Sequence, residues 1–295
     1  NSSKVVKLDD EGLITSYQLY SSGIQILASV GEAYGTLFGT SYVRDANGNV
    51  VVDANGLPKI STTNKTLGKF TPDWTGGISN TFSYRSLSLS FLIDASVGGS
   101  IFSNTNKTGK YTGVLANTLS GRDAEHGGLW YYTDAMGNNV RLSESPSYSV
   151  SSDGLYYAQV NGQSTRVYQD GIMVEGVTES GSKNEEVVSA EKYYHRIYSI
   201  AEANVYDASY VKLREVALSY RLPRLWTQKL HLQEASVTLT GRNLWTIYKS
   251  VPNIDPESAL TTGNAQGVEA YSLPTTRSFL SLIHISEPTR PISIS

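Results

Sequence analysis

Residues 78–84, ISNTFSY, and 86–95, SLSLSFLIDA, stand on either side of a single residue, Arg85. In the second segment Leu87, Leu89 and Phe91 point one way, and Ser86, Ser88 and Ser90 point the other. Period two defines a strand with one apolar face. A soluble β-sandwich turns such a face into its core. A membrane barrel turns it outward to lipid and leaves the serines towards a wet lumen. The alternation by itself does not separate the two.

Half-polar strands recur in the last third of the chain. Residues 210–220, YVKLREVALSY, place Val211 and Leu213 on one face, then Val216, Leu218 and Tyr220 after a phase change near Arg214 and Glu215. That phase change predicts a β-bulge. Leu222-Pro223 ends the strand. Residues 235–245, ASVTLTGRNLW, set Val237, Leu239 and Trp245 against Ser236, Thr238, Thr240 and Arg242. Arg242-Asn243 reads as an anion site or, more simply, as a lumen-facing or edge-pairing position.

Upstream, PDWTGG at 72–77 is a turn that leads Trp74 into a strand, where the indole either sits at a bilayer interface or caps a core. Residues 42–60 carry two Asp-Ala-Asn-Gly turns around Val50, Val51 and Val52, and Asn-Gly pairs suit the positive φ of tight hairpins. A three-stranded meander is predicted there. Asp45, Asn47 and Asn49 have the D-x-N-x-N spacing of a calcium loop, but Val50 stands where that loop needs Gly and Gly56 where it needs a bidentate Glu.

The middle of the chain, about 98–203, has weak periodicity and is rich in Tyr, Ser, Gly and Asn, which predicts long surface loops. Within it, residues 185–203 suit a short helix on which Glu191 and His195 share a face. His126, His195, His231 and His284 are too scattered for a metal pair, and no H-E-x-x-H, G-x-S-x-G or phosphate-loop motif occurs. No catalytic residue, metal or cofactor is expected, and the chain is not read as an enzyme. A spatial pair of carboxylates for glycoside hydrolysis is the one catalytic arrangement that sequence spacing leaves open.

Composition agrees with strands and turns: of 295 residues 17% are charged, 20 are Tyr, 26 are Gly and 2 are Met. Twenty-four basic against 27 acidic residues give a net charge of -3, so no basic field points to nucleic acid. The absence of Cys removes disulfide frameworks, thiolate nucleophiles and iron–sulfur clusters. No apolar run approaches the ~20 residues of a spanning helix, a test that membrane β-strands escape. The sequence opens at Asn1 with no signal segment and is expected to be a fragment.

Several stretches, in order, resemble the carboxy-terminal half of the barrel of SusC/RagA-type TonB-dependent outer-membrane transporters of Bacteroidetes. They are GEAYG at 31–35 with Gly39, YVRDANGNVVVDANGLP at 42–58, Leu67-Gly68 and PDWTGG at 72–77. They continue with NTFSYRSLSLSFLIDASVGGSIFS at 80–103, YDASYVKLREVALSYRLP at 206–223, VTLTGRNLWTIYKSVPNIDPE at 237–257 and LPTTRSF at 273–279.

The resemblance implies an all-β fold: a partial transmembrane antiparallel β-barrel, the carboxy-terminal part of a plugged, roughly 22-stranded type, with long extracellular loops and short periplasmic turns. It implies import of glycans or peptides across the outer membrane of a Gram-negative cell, a SusD-like surface lipoprotein as partner, and a TonB complex reached through an upstream plug. Ser86, Ser88, Ser90, Thr238, Thr240 and Arg242 become expected lumen-lining positions. Tyr131, Tyr132, Tyr156, Tyr157, Tyr193 and Tyr194 become expected extracellular contacts to sugars or to the lid.

After Leu280 the text SLIHISEPTRPISIS departs from the family pattern, and Pro288 and Pro291 are incompatible with a central strand. Residues 1–280 are therefore expected to be barrel and 281–295 a non-native tail resembling translated sequencing adapter. The alternative that the residues allow is a secreted, soluble β-sandwich carbohydrate-binding module, with a β-rich glycosidase as a third class.

Overall fold

The computed structural model describes residues 4–229 and 231–286. In chain order it contains β1 (Ser16–Ser21), β2 (Gln25–Ser29), β3 (Thr36–Gly39), β4 (Lys65–Lys69), β5 (Trp74–Tyr84), β6 (Leu87–Val97) and β7 (Ser100–Ser103), which runs into α1 (Asn104–Thr112). Then follow β8 (Leu129–Thr133), β9 (Asn139–Arg141), β10 (Tyr148–Val150), β11 (Tyr156–Val160), β12 (Gln163–Ile172), β13 (Val188–Ser189) and α2 (Ala190–Tyr198). The last third holds β14 (Val205–Asp207), β15 (Tyr210–Arg221), α3 (Arg224–Lys229), β16 (Glu234–Lys249), β17 (Val268–Glu269) and β18 (Ser278–Ser286).

The long strands form one antiparallel sheet in the order β18-β16-β15-β6-β5. Its register explains the alternation. Phe82, Leu89, Leu218 and Leu239 stand opposite one another as one row, and the next row is Ser83, Ser88, Ser219 and Thr238. Rows of one polarity on each face follow because every strand keeps period two in phase with its neighbour. The phase change at Arg214 is the bulge that the sequence predicts: pairing jumps from Leu213 to Glu215 on β15. The same irregularity takes up Asn243 and Leu244 on β16, so Trp245 returns to the face of Leu239 opposite Leu213.

Ser86 is a correction. Tyr84 pairs with Leu87, so Arg85 and Ser86 form a two-residue turn and Ser86 lies outside the strand face. Arg85 holds φ +54, a position where glycine is favoured. The meander at 42–60 is present as isolated bridges, Tyr42 to Ile60, Arg44 to Val50 and Val52 to Pro58, rather than as continuous strands. In its turns the glycines, Gly48 and Gly56, take positive φ while the asparagines do not. The asparagine backbone amides instead bond the side chains of Asp45 and Asp53.

The two shorter connections between neighbouring strands of this sheet, the Arg85-Ser86 turn and the 222–233 link that holds α3, lie at one end. The long insertions, 98–209 and 250–277, leave from the opposite end. They are not simple loops. Ile24, Ile26, Leu37, Phe102, Ala201 and Val268 join β2, β3, β7 and β17 in a buried core, and Trp130, Ala158 and Val167 form another between β8, β11 and β12. Their strands are mostly three to five residues long, too short for periodicity to declare them.

The predicted helix at 185–203 is confined to α2, with Ser189 as its N-cap accepting from the Lys192 amide. Val188 pairs with Ile172 as a strand, as β-branched residues favour. The helix α1 is capped by Ser103 and, from far along the chain, by Glu269. This fully buried carboxylate accepts from the Ser103 hydroxyl at 2.7 Å and from the Thr105 hydroxyl and backbone amide at 2.5 and 3.3 Å.

Candidate functional site

The wall formed by β18, β16, β15, β6 and β5 has two chemically different faces, and the described residues leave the apolar one bare. Leu239 is 56% exposed and Phe279 79%, in company with Ile78, Phe82, Leu89, Leu218 and Trp245. Exposed apolar surface of this extent marks an interface. Aromatic residues mark its two margins. Trp74 and Tyr84 stand at opposite ends of the 11-residue strand β5. At ~3.3 Å per residue they are about 33 Å apart along the strand, which at the roughly 40° tilt of membrane barrels corresponds to about 25 Å, the height of an outer-membrane apolar band. Trp74 lies over Gly76, where any Cβ would come within 2.4 Å of the ring. The ring thus covers the gap that the glycine leaves.

The other face carries Ser88, Ser90, Ser219, Thr238, Thr240 and Arg242, with a hydroxyl contact of 2.8 Å between Ser219 and Thr238. Arg242 bonds Glu215 across the pair of strands at 2.8 Å, so its guanidinium is already engaged and the anion-site reading is not supported. The Asn243 side chain donates to the Thr276 carbonyl at 3.2 Å.

Near the insertion end this polar face holds a charged clamp that sequence spacing did not reveal. Lys212, 3% exposed, bonds Asp255 at 2.5 Å and Glu257 at 2.6 Å. Arg214, placed by the bulge, bonds Asp94 at 2.7 Å and also Glu257. The Tyr210 hydroxyl donates to Glu257 at 2.8 Å, and the Thr275 hydroxyl donates to Asp255 at 2.6 Å. Burial works against ionisation of Asp255, but hydrogen bonds from Lys212 and Thr275 prevail and hold its carboxyl at about 2. Glu257 is likewise lowered: burial opposes, and Arg214, Lys212 and Tyr210 outweigh it. Two carboxylates from the 250–277 insertion are thereby fastened to two cations of the wall.

The six tyrosines do not form one surface. Tyr131 is buried, stacks on Tyr168 at 5.0 Å and donates to Asp170 at 3.2 Å, while Tyr132 and Tyr156 pack around the Trp130 core. Tyr157 is half-buried on β11. Tyr193 and Tyr194, with Tyr42, border a cavity of about 620 Å³, where the Tyr194 hydroxyl donates to the Asn117 carbonyl at 3.1 Å. Asp45 spends its carboxylate on the backbone amides of Asn47 and Asn49 and on the Asn49 side chain, the bonding of a turn. Glu191 and His195 both lie on α2, and His195 stacks on Tyr111 at 4.1 Å. Among the described residues no group of three His, Asp or Glu side chains is placed to hold a metal ion. His284 pairs opposite Ser236 on β18, whereas Pro288 and Pro291 lie outside the described residues.

These features define an open, five-stranded antiparallel wall with one apolar and one polar face and folded insertions at one end. The chain is similar to the TonB-dependent receptor P3 of Formosa agariphila, 24% identical over 278 residues that cover 92% of this chain and 22% of that protein. It thus spans about a fifth of the length of this curated relative. The resemblance to TonB-dependent receptors read from residues 31–280 is matched across most of the chain. Among solved structures it is similar to the RagAB peptide importer in the open-open state, at 16% identity and a TM-score of 0.49 over 96% of this chain and 25% of that one. A second likeness is to a structure described as the RagAB peptide transporter, at 18% identity and a TM-score of 0.47 over 92% of this chain and 25% of that one. No protein-family model matches the chain.

Proposed function

We propose that this chain is the carboxy-terminal wall and outer-face cap of a TonB-dependent importer in the outer membrane of a Gram-negative cell. Its cargo is a glycan or a peptide, its partners are a SusD-like surface lipoprotein and the TonB complex, and it conducts without covalent chemistry. The observation that carries this reading is the wall itself: strands of membrane-crossing length, an uncovered apolar face backed by a hydroxyl-rich one, and the shorter connections between neighbouring strands at one end with the long insertions at the other. A soluble sandwich would lay a second sheet over Leu239, Trp245 and Phe279, and none of the described residues covers them.

The edge strands β5 and β18 have unpaired backbone groups along their outer sides. In hydrocarbon such groups have no water to satisfy them, so the wall functions within a ring completed by further strands. The proposal assigns 1–280 to the barrel and sets 281–295 apart on the sequence pattern, although β18 runs on to Ser286 and pairs with β16 across that boundary.

In this arrangement the polar face lines the path of the cargo, and the Lys212 clamp fixes the 250–277 insertion over that path near its outer mouth. A plug moved by TonB would open the path, since the outer membrane has no nucleotide supply of its own. The test places a nitroxide on Leu239→Cys or Thr240→Cys in the full-length protein in its membrane. Position 239 should be relaxed by oxygen dissolved in lipid and position 240 by a water-soluble nickel chelate. Water access at both positions would overturn the reading.

A further inference from the structure

The tight-turn end of the wall differs in charge from the rest of the molecule. Residues 79–91 and 216–233 contain Arg85, Arg221, Arg224 and Lys229 and no Asp or Glu, in a chain where acidic residues outnumber basic ones by 27 to 24. Arg221 is paired with Glu234 at 2.7 Å. Arg85, Arg224 and Lys229 are exposed and have no carboxylate partner among the described residues. Arg85 occupies the positive-φ turn position, and its guanidinium stands 5.2 Å over the Tyr84 ring at the margin of the apolar face. That margin continues along the row Tyr84, Leu87 and Tyr220. Beyond it, α3 exposes Leu225 and Trp226 beside Arg224 and Lys229.

We infer that this end binds the anionic headgroups of glycerophospholipids in the adjoining leaflet: Arg85, Arg224 and Lys229 meet the lipid phosphates while Tyr84, Leu225 and Trp226 enter the upper acyl layer. The inference rests on the proposed membrane wall and adds its lipid partner. The chemistry is complementary. A guanidinium presents paired N–H donors to phosphate oxygens, an ammonium supplies a compact charge, and amphipathic aromatic side chains settle at headgroup depth. The uncompensated cations select an anionic surface over a neutral or basic one, and continuity with the apolar face selects lipid as its source.

The test uses the full-length protein in phosphatidylcholine bilayers containing spin-labelled phosphatidylglycerol or spin-labelled phosphatidylcholine, with selection read as the ratio of motionally restricted label. The natural protein should select phosphatidylglycerol. R85Q/R224Q/K229Q should lose that selection, by roughly fivefold for each charge that reaches the surface, and R85K/R224K should keep it. The total of restricted lipid should be unchanged in both variants, showing an intact wall. Equal selection by the natural protein and the glutamine variant would overturn the inference. So would a nitroxide on Trp226→Cys that is relaxed only by a water-soluble nickel chelate. A nitroxide on Phe279→Cys separates the two levels: lipid exposure there with no headgroup selection removes only this inference, whereas water exposure there removes the membrane wall as well.

Discussion

Lys212 shows how one side chain ties an insertion to the wall. Its ammonium is buried between Asp255 and Glu257, and a buried pair broken from one side leaves an uncompensated charge, a loss of about 3–5 kcal/mol. Lys212→Met should therefore release the 250–277 insertion, seen as faster amide exchange there with exchange in β5 and β6 unchanged. Adding Asp255→Asn should recover part of the loss. The clamp also has a pH sign. The Asp255 carboxyl is lowered from 3.8 to about 2 in the folded protein, so its contribution is fully present above the unfolded value and disappears as pH falls through the folded one. The gap corresponds to about 2 kcal/mol. Distance measurements between labels on the insertion and the wall should stay constant from neutral pH down to about 4 and lengthen below it.

At the scale of elements, the joint between β6 and β7 transmits the wall into the cap. Gly98 and Gly99 hold φ +76 and +80, and beyond them β7 pairs with β14 just as β6 pairs with β15. A side chain at Gly98 would be strained twice, by the left-handed backbone and by a Cβ placed 2.2 Å from an Asp73 carboxylate oxygen. Gly98→Ala should destabilise the joint by about 1–2 kcal/mol, measured as earlier proteolysis of the cap, with the wall strands retaining their protection. The α2 cap offers a smaller effect of the same kind. Ser189→Ala removes the acceptor for the Lys192 amide and should weaken that helix by about 1 kcal/mol, read as faster amide exchange at its first turn.

For the whole molecule, the decisive property is that the two faces of one sheet differ chemically, one apolar and bare and the other rich in hydroxyls, and the proposed function gives each its own solvent. Leu239→Arg puts a charge on the apolar face and should cost about 2–4 kcal/mol if the residue lies at mid-bilayer. Thr240→Arg, one position along and on the hydroxyl face, should be tolerated. The measurement is the yield of assembled, heat-modifiable barrel in the outer membrane, and equal yields for the two variants would contradict the assignment of faces. The cations of Arg85 and α3, without a carboxylate partner among the described residues, and the clamp at the insertion end mark opposite ends of the same wall.

Much of that wall was legible in the residues. The alternation of Leu87, Leu89 and Phe91 with Ser88 and Ser90 and the phase change at Arg214 both express a period-two geometry that is local to each strand, so sequence alone determined β5, β6, β15 and β16, their faces and the bulge, but not β18, whose residues 281–286 it read as tail. Sequence could not say which solvent each face meets, because a sandwich and a barrel use the same alternation. Nor could it find the partners of Lys212, which lie 43 and 45 residues along the chain, or the carboxylate cap of α1, supplied by Glu269 from 164 residues beyond Thr105. The cap cores and the burial of Tyr131 were hidden for the same reason. Only the tertiary structure decides such contacts, because burial and ion pairing depend on which distant segments the chain brings together and leave no period in the sequence.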